Sequence, residues 1–174
     1  MTENPPTPPP GLTGLATYLA SKTGLAGRRI VSEHLDGLGM RLPHFAVLAC
    51  LDAYAASSQR ELAARLALDA SDIVAILDEL EERRLIERRR DPGDRRRYAV
   101  TSTRAGRAAY ARARLAAAAA QDDFLDGLDA EERALLESML VRVLARHDVR
   151  FATLRGQRPG TSGDPAGPTP EGAE

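Results

Sequence analysis

The chain has no tryptophan, one lysine and one cysteine, and aromatic residues fill only 4% of its 174 positions. A lone cysteine, Cys50, excludes an intrachain disulfide and a cysteine-built zinc cluster. His34, His44 and His147 show no metal-ligand spacing, so neither a metal nor any other cofactor is expected. No nucleophile–base pair and no phosphate-binding glycine loop stands out, which leaves enzyme chemistry without a candidate. Scarce aromatics alongside many alanines argue for helix packing rather than a β-sandwich. Neither a signal peptide nor an apolar run of membrane-spanning length is evident, so a cytoplasmic location is expected and a membrane partner is not. Net charge is −1 and the isoelectric point about 6.3. The chain as a whole is therefore no basic nucleic-acid binder, and any such role must rest on a local patch. Lys22 being the only lysine, almost all positive charge is arginine; compositional bias alone can produce that.

Such a patch exists. Residues 85–101, LIERRRDPGDRRRYAVT, read as strand, tight turn and strand. In Asp91-Pro92-Gly93-Asp94, proline fixes φ, glycine permits positive φ, and each aspartate can bond its own backbone. Leu85-Ile86 and Tyr98-Ala99-Val100 are short apolar pieces of the kind a hairpin buries. Across residues 83–97 eight arginines face three acids, a local excess of five. Taken alone, the segment is either a solvated arginine-rich hairpin or the wing of a winged helix-turn-helix.

The preceding residues favour the wing. Ser58-Gln59-Arg60-Glu61 is a capping box, and Leu62, Ala63 and Leu66 then form the apolar face of a helix about two turns long. Asp69 is placed to cap a second helix, with Asp72 near its positive end and a buried stripe of Ile73, Ile76, Leu77 and Leu80. Two short helices, a tight turn and a basic hairpin come in the order a winged helix-turn-helix requires.

The rest of the chain frames this unit. Residues 1–11, with Pro5, Pro6, Pro8, Pro9 and Pro10, are expected to be a non-helical, disordered arm, and the Pro/Gly-rich residues 155–174 a disordered tail. Leu15, Leu19, Ala26, Ile30, Leu35 and Leu38 predict one long helix over residues 12–38, weakened by Gly24 and Gly27 and ended by Gly37 and Gly39. Leu42-Pro43 restarts the chain, with Phe45, Leu48, Leu51 and Ala55 as the buried face of a second helix. After the hairpin, Thr103 caps a long alanine-rich helix from residue 104 to about 125. A second capping box, Asp129 with Glu132, opens a final helix reaching residue 154.

From residue 42 to about 144 the chain resembles the MarR (multiple antibiotic resistance regulator) family of bacterial transcription factors. QRELAARL at 59–66, LDASDIVAILDELEERRLIERRRDPGDRRRYAVT at 68–101 and LDAEERALLESML at 128–140 carry the resemblance. It implies a mainly α fold over residues 12–154 with six helices and a small β wing, the winged helix-turn-helix at about 42–101. It further implies a homodimer entwined through the terminal helices, about 12–38 and 103–154. The expected function is that of a sequence-specific regulator, a repressor, on a pseudo-palindromic double-stranded operator. A small effector, often aromatic, would bind between the dimer and DNA-binding parts and release the DNA. Three positions depart from the family pattern: Ala75 where an arginine is frequent, Arg84 where a glycine is usual, and Ser102-Thr103 where Leu-Thr is usual. Asp72, Asp78, Glu79 and Glu82 make the recognition helix acidic outside, poor chemistry against phosphates. That keeps open a winged-helix module that binds another protein and not DNA.

A recognition helix reads base edges with its first turns, which places Ala70, Ser71, Asp72, Val74 and Ala75 at the major groove. Ser71 can bond base or phosphate, Val74 or Ala75 can touch a thymine methyl, and Asp72 is either a cytosine acceptor or a plain helix-end charge. By resemblance, Arg95 enters the minor groove. Arg96 either joins it or pairs with Asp78 or Asp94. Arg60, Arg88, Arg89, Arg90 and Arg97 are candidate phosphate contacts, supplying affinity rather than sequence reading. For the effector, His44 matches the position where relatives place a histidine or aromatic at the cleft edge and could bond an anionic aromatic molecule, with Tyr18, Arg28 and Tyr110 as further lining candidates. Cys50, mid-helix in an apolar run, carries a minor alternative of redox sensing.

Overall fold

The computed structural model describes residues 6–90 and 98–154. The expected tail and the turn of the hairpin, with Arg95, Arg96 and Arg97, lie outside the described residues, as do residues 1–5 of the expected arm. The chain divides into two compact units, Met1–Asp126 and Gly127–Glu174.

The first unit opens with α1 (Pro10–Thr13), a single turn in what the prolines suggested would be non-helical arm. Pro10 starts it because a proline at the first helical position has the right φ, and the N–H it lacks would have no partner there anyway. Leu15 is extended, so the helix expected over 12–38 is interrupted, and α2 runs Ala16–Asp36. Its end matches expectation: Gly37 caps it, Gly39 takes φ +60, and the Met40 N–H returns to the Leu35 carbonyl. Pro43 sits in the first turn of α3 (Leu42–Tyr54), whose buried residues are His44, Val47, Leu48 and Leu51. Ala55, expected on that face, is instead exposed at the helix end with φ +55.

A two-residue strand that the sequence did not disclose follows, β1 (Ser57–Ser58). The capping box of α4 (Gln59–Leu66) is present, with Ser58 Oγ accepting from the Glu61 N–H and the Glu61 carboxylate accepting from the Ser58 N–H. Helix α5 (Ala70–Glu82) buries Ile73, Ile76, Leu77 and Leu80, as its periodicity predicts; Asp69 occupies the cap position but makes no capping bond through its side chain. The hairpin is β2 (Ile86–Arg90) against β3 (Tyr98–Ser102), running from Ile86 opposite Ser102 to Arg90 opposite Tyr98. Because β1 pairs with the other edge of β3, the sheet is three-stranded in the order β1-β3-β2.

Helix α6 (Arg104–Phe124) starts where expected, with Thr103 Oγ1 accepting from the Gly106 N–H at 3.0 Å. It packs along α2, where the Phe124 ring lies against Gly27: a Cβ at Gly27 would stand 3.3 Å from that ring. One core joins Leu35, Met40, Val47, Leu48, Leu51, Leu62, Ile73, Leu77, Leu80, Ile86, Val100, Ala109 and Ala113. Each large aliphatic side chain among them contributes about 1.5–3 kcal/mol by leaving water.

The second unit is α7 (Ala130–His147) followed by a 3-10 turn, Val149–Leu154. Its capping box forms, Asp129 accepting from Glu131 and Glu132 while the Glu132 carboxylate accepts from the Asp129 N–H. Asp148, extended, ends the α-helix seven residues before the expected limit of 154. Leu135, Met139, Leu140, Val143 and Leu144 of α7 are all exposed. Seven α-helices thus stand among the described residues rather than six, the short α1 being the addition.

Candidate functional site

Burying Ile73, Ile76, Leu77 and Leu80 turns the opposite face of α5 outward. Ala70, Ser71, Asp72, Val74 and Ala75 are all exposed, and Ser71, Val74, Ala75 and Asp78 follow the i, i+3, i+4, i+7 spacing of one helix face. Arg60, in the first turn of α4, is exposed as well.

The root of the wing is held to this helix by Arg88. Its guanidinium reaches Asp78 Oδ1 at 2.6 Å and Glu81 Oε2 at 2.8 Å, and its backbone N–H donates to Glu81 Oε1 at 3.2 Å. Arg88, proposed above as a phosphate contact, is thus engaged by α5, and it holds Asp78, one of the partners considered for Arg96. Arg89 pairs with Glu87 on its own strand at 3.0 Å, and the Arg90 guanidinium lies 5.8 Å from the centre of the Tyr98 ring. Of the five acids on α5, Asp78 and Glu81 share the one guanidinium of Arg88, and Glu79 pairs with Arg41. Of the four acids that made the outer face acidic in the sequence, Asp78 and Glu79 are paired within the fold, so that acidity is compensated in part.

Residues of α2, α3 and the α4–α5 turn line an open cleft of about 440 Å³. Leu42, Pro43, Ala46, Leu66 and Leu68 form its apolar wall, and Arg28, Ser32, Asp36 and Arg41 its polar one. Of the four residues expected to line a ligand cleft, Arg28 does. Tyr18 is half-buried elsewhere on α2, with the Lys22 ammonium 5.5 Å from its ring centre. Tyr110 stacks on Phe45 with centroids 5.7 Å apart, and burial raises its phenol above the ordinary pKa.

His44 is buried and is not among the residues that line the cleft. Its Nδ1 accepts from the Arg41 backbone N–H at 3.3 Å, which leaves Nε2 to donate to Glu79 Oε2 at 2.9 Å. Burial lowers its pKa, against the opposing pull of the hydrogen bond to Glu79. The Arg41 guanidinium also pairs with Glu79, and this bond, followed by that of His44, holds the Glu79 carboxyl below its ordinary pKa. Arg41 was missed in the sequence. An arginine just ahead of Leu42-Pro43 marks a helix start, but nothing local couples it to an acid 38 residues on. Cys50 is half-buried, and burial pushes its thiol pKa up, opposite to what a reactive thiolate needs. Among the described residues no group of three or more His, Cys, Asp or Glu is placed to hold a metal ion, and no helix is long and apolar enough to cross a membrane.

Two short helices, a basic hairpin pinned to the second of them and a core shared by all three define a winged helix-turn-helix protein. The MarR family model matches residues 38–97. A transcriptional repressor, CouR, bound to a 23-mer DNA duplex, has the same architecture with a TM-score of 0.74 and 31% identity, over 79% of this chain and 98% of that one. CouR from Rhodococcus jostii RHA1 bound to p-coumaroyl-CoA matches with a TM-score of 0.70 and 29% identity, over 79% and 95%. The chain belongs to the MarR family. A putative transcriptional regulatory protein for the hcr operon of Thauera aromatica is 37% identical over 98 residues, 56% of this chain. The match spans 59% of that relative's length.

Proposed function

We propose that the chain is a cytoplasmic, sequence-specific transcriptional regulator, a repressor that acts as a homodimer on a pseudo-palindromic operator and is released by a small molecule. The observation that carries this reading is the double pairing of Arg88 with Asp78 and Glu81. It ties the last turns of α5 to the root of the basic wing, an arrangement suited to placing the exposed first turns of the helix in a major groove and the wing beside it. The DNA-bound relative, similar to this chain over 98% of its own length, supports the same use of the fold. Ser71, Val74 and Ala75 would read base edges, and Arg60, Arg89, Arg90, Arg95, Arg96 and Arg97 would supply charge against the backbone and minor groove. Asp72 would accept from a cytosine amino group or simply complement the helix end.

The homodimer is proposed to form through residues 12–38 and 103–154. Support comes from exposed leucines on α2, Leu19 and Leu25, and from the exposed apolar row on α7. For the effector, the 440 Å³ cleft is supported by its mixed lining and by the relative bound to p-coumaroyl-CoA. Selection from a random duplex pool tests the core of the proposal: enrichment of a two-fold-related motif is expected. A pool that stays unenriched moves the protein-binding winged-helix reading to the front.

A further inference from the structure

Arg41 belongs to two neighbourhoods at once. It lines the cleft, together with Arg28, and its guanidinium pairs with Glu79 on α5. Glu79 also receives Nε2 of the buried His44 at 2.9 Å. The side chains of Arg41 and Glu79 are 57% and 44% exposed, so their pair stands in solvent and is weak enough to exchange. On the cleft wall two arginines, Arg28 and Arg41, face one carboxylate, Asp36, an excess of one positive charge. Among the described residues Arg28 has no acidic partner, whereas Arg41 has Glu79.

We infer that a carboxylate seated in this cleft takes Arg41 from Glu79, and that this exchange is how the charge of a ligand reaches the recognition helix. The effect on DNA rests on the regulator reading above; the exchange itself does not. A guanidinium fork holds one planar carboxylate in two-point geometry, and a ligand anion bonded to both Arg28 and Arg41 competes directly with the Glu79 carboxylate. Glu79 is then left with His44 alone. Negative charge that Arg41 had neutralised is uncovered on α5, whose outer face must approach phosphates, so DNA affinity falls. The ligand class is an amphipathic organic anion with its apolar body against Leu42, Pro43 and Leu66. A neutral analogue of the same shape occupies the cleft without switching the helix.

The test uses the full chain and two probes that differ only in charge, 3-phenylpropionate and 3-phenylpropanamide, with binding measured by calorimetry in the absence of DNA. The wild type is expected to bind the acid more tightly than the amide. Glu79→Gln removes the competing charge and keeps the shape, so it should tighten acid binding about two- to fivefold, the worth of a solvent-exposed ion pair, and leave the amide unchanged. Arg41→Gln should shrink the preference for the acid. In a second arm, the acid should weaken duplex binding by the wild type and not by Glu79→Gln. Equal acid affinity in wild type and Glu79→Gln, no preference for the acid, or no binding of the acid overturns the inference. Should the chain bind no duplex while the calorimetric differences hold, the regulator reading fails and the exchange at Arg41 stands.

Discussion

Arg84 stands where the family usually carries glycine, and the backbone explains the family's choice. The residue follows α5 at φ +58, a conformation in which a Cβ crowds the following carbonyl. Replacing Arg84 with Gly relieves that crowding, and after allowance for the greater freedom of glycine in the unfolded chain the fold should gain about 1 kcal/mol. Urea unfolding checks this; an unchanged or lower midpoint contradicts it. His44 gives a second test. Its folded pKa lies below the ordinary value of 6.5, so at acid pH the unfolded chain takes up a proton that the folded ring resists. The stability it contributes is complete above pH 6.5 and is lost as the pH falls from there toward the folded pKa. His44→Asn should therefore flatten the decline in stability below pH 6.5, whatever it does to stability at neutral pH. Parallel curves for the two proteins would contradict the assignment. The Glu79 contribution is separable, because its carboxyl titrates below the ordinary 4.5.

Helix α6 meets the sheet at a point where only glycine fits. A Cβ on Gly106 would stand 1.9 Å from the Leu85 carbonyl oxygen and 2.6 Å from Ser102 Oγ, so Gly106→Ala must push α6 off the β2–β3 root. A loss of about 2–4 kcal/mol is expected, read as a lower melting temperature; a melting temperature equal to wild type would refute the contact. Local chemistry made such elements legible: both capping boxes, the Thr103 cap and the α5 stripe are written within four to eight residues. What escaped was non-local or too short to carry a period. Strand β1 is two residues paired with a strand some 40 positions later, and no alternation can show in two residues. Of the cleft, one expected residue in four was legible, for the same reason. Arg28 was found on its own helix, but the role of Arg41 depends on Glu79 of α5, and Tyr18 and Tyr110 have the right chemistry and lie outside the lining.

At the scale of the whole molecule the apolar row on α7 is the unanswered surface. Leu135, Met139, Leu140, Val143 and Leu144 are 42–60% exposed in the single chain, and a second copy is the cover proposed for them. Sedimentation at micromolar concentration should return twice the 18.7 kDa chain mass, and a monomer there would remove the argument for a two-fold operator. The central claim is that α5 supplies choice and the wing supplies affinity. Its most direct test is a titration of the selected operator and a scrambled duplex at several salt concentrations, with wild type, Arg95→Ala and Ser71→Ala. Each lost charge contact should flatten the slope of log K against log salt by about one unit, so Arg95→Ala should cost a dimer about two, with weaker binding on every sequence. Ser71→Ala should leave the slope alone and cost about 1–3 kcal/mol on the operator only, relaxing preference at one position per half-site. Unchanged affinity and slope in Arg95→Ala, together with unchanged operator preference in Ser71→Ala, would contradict the account.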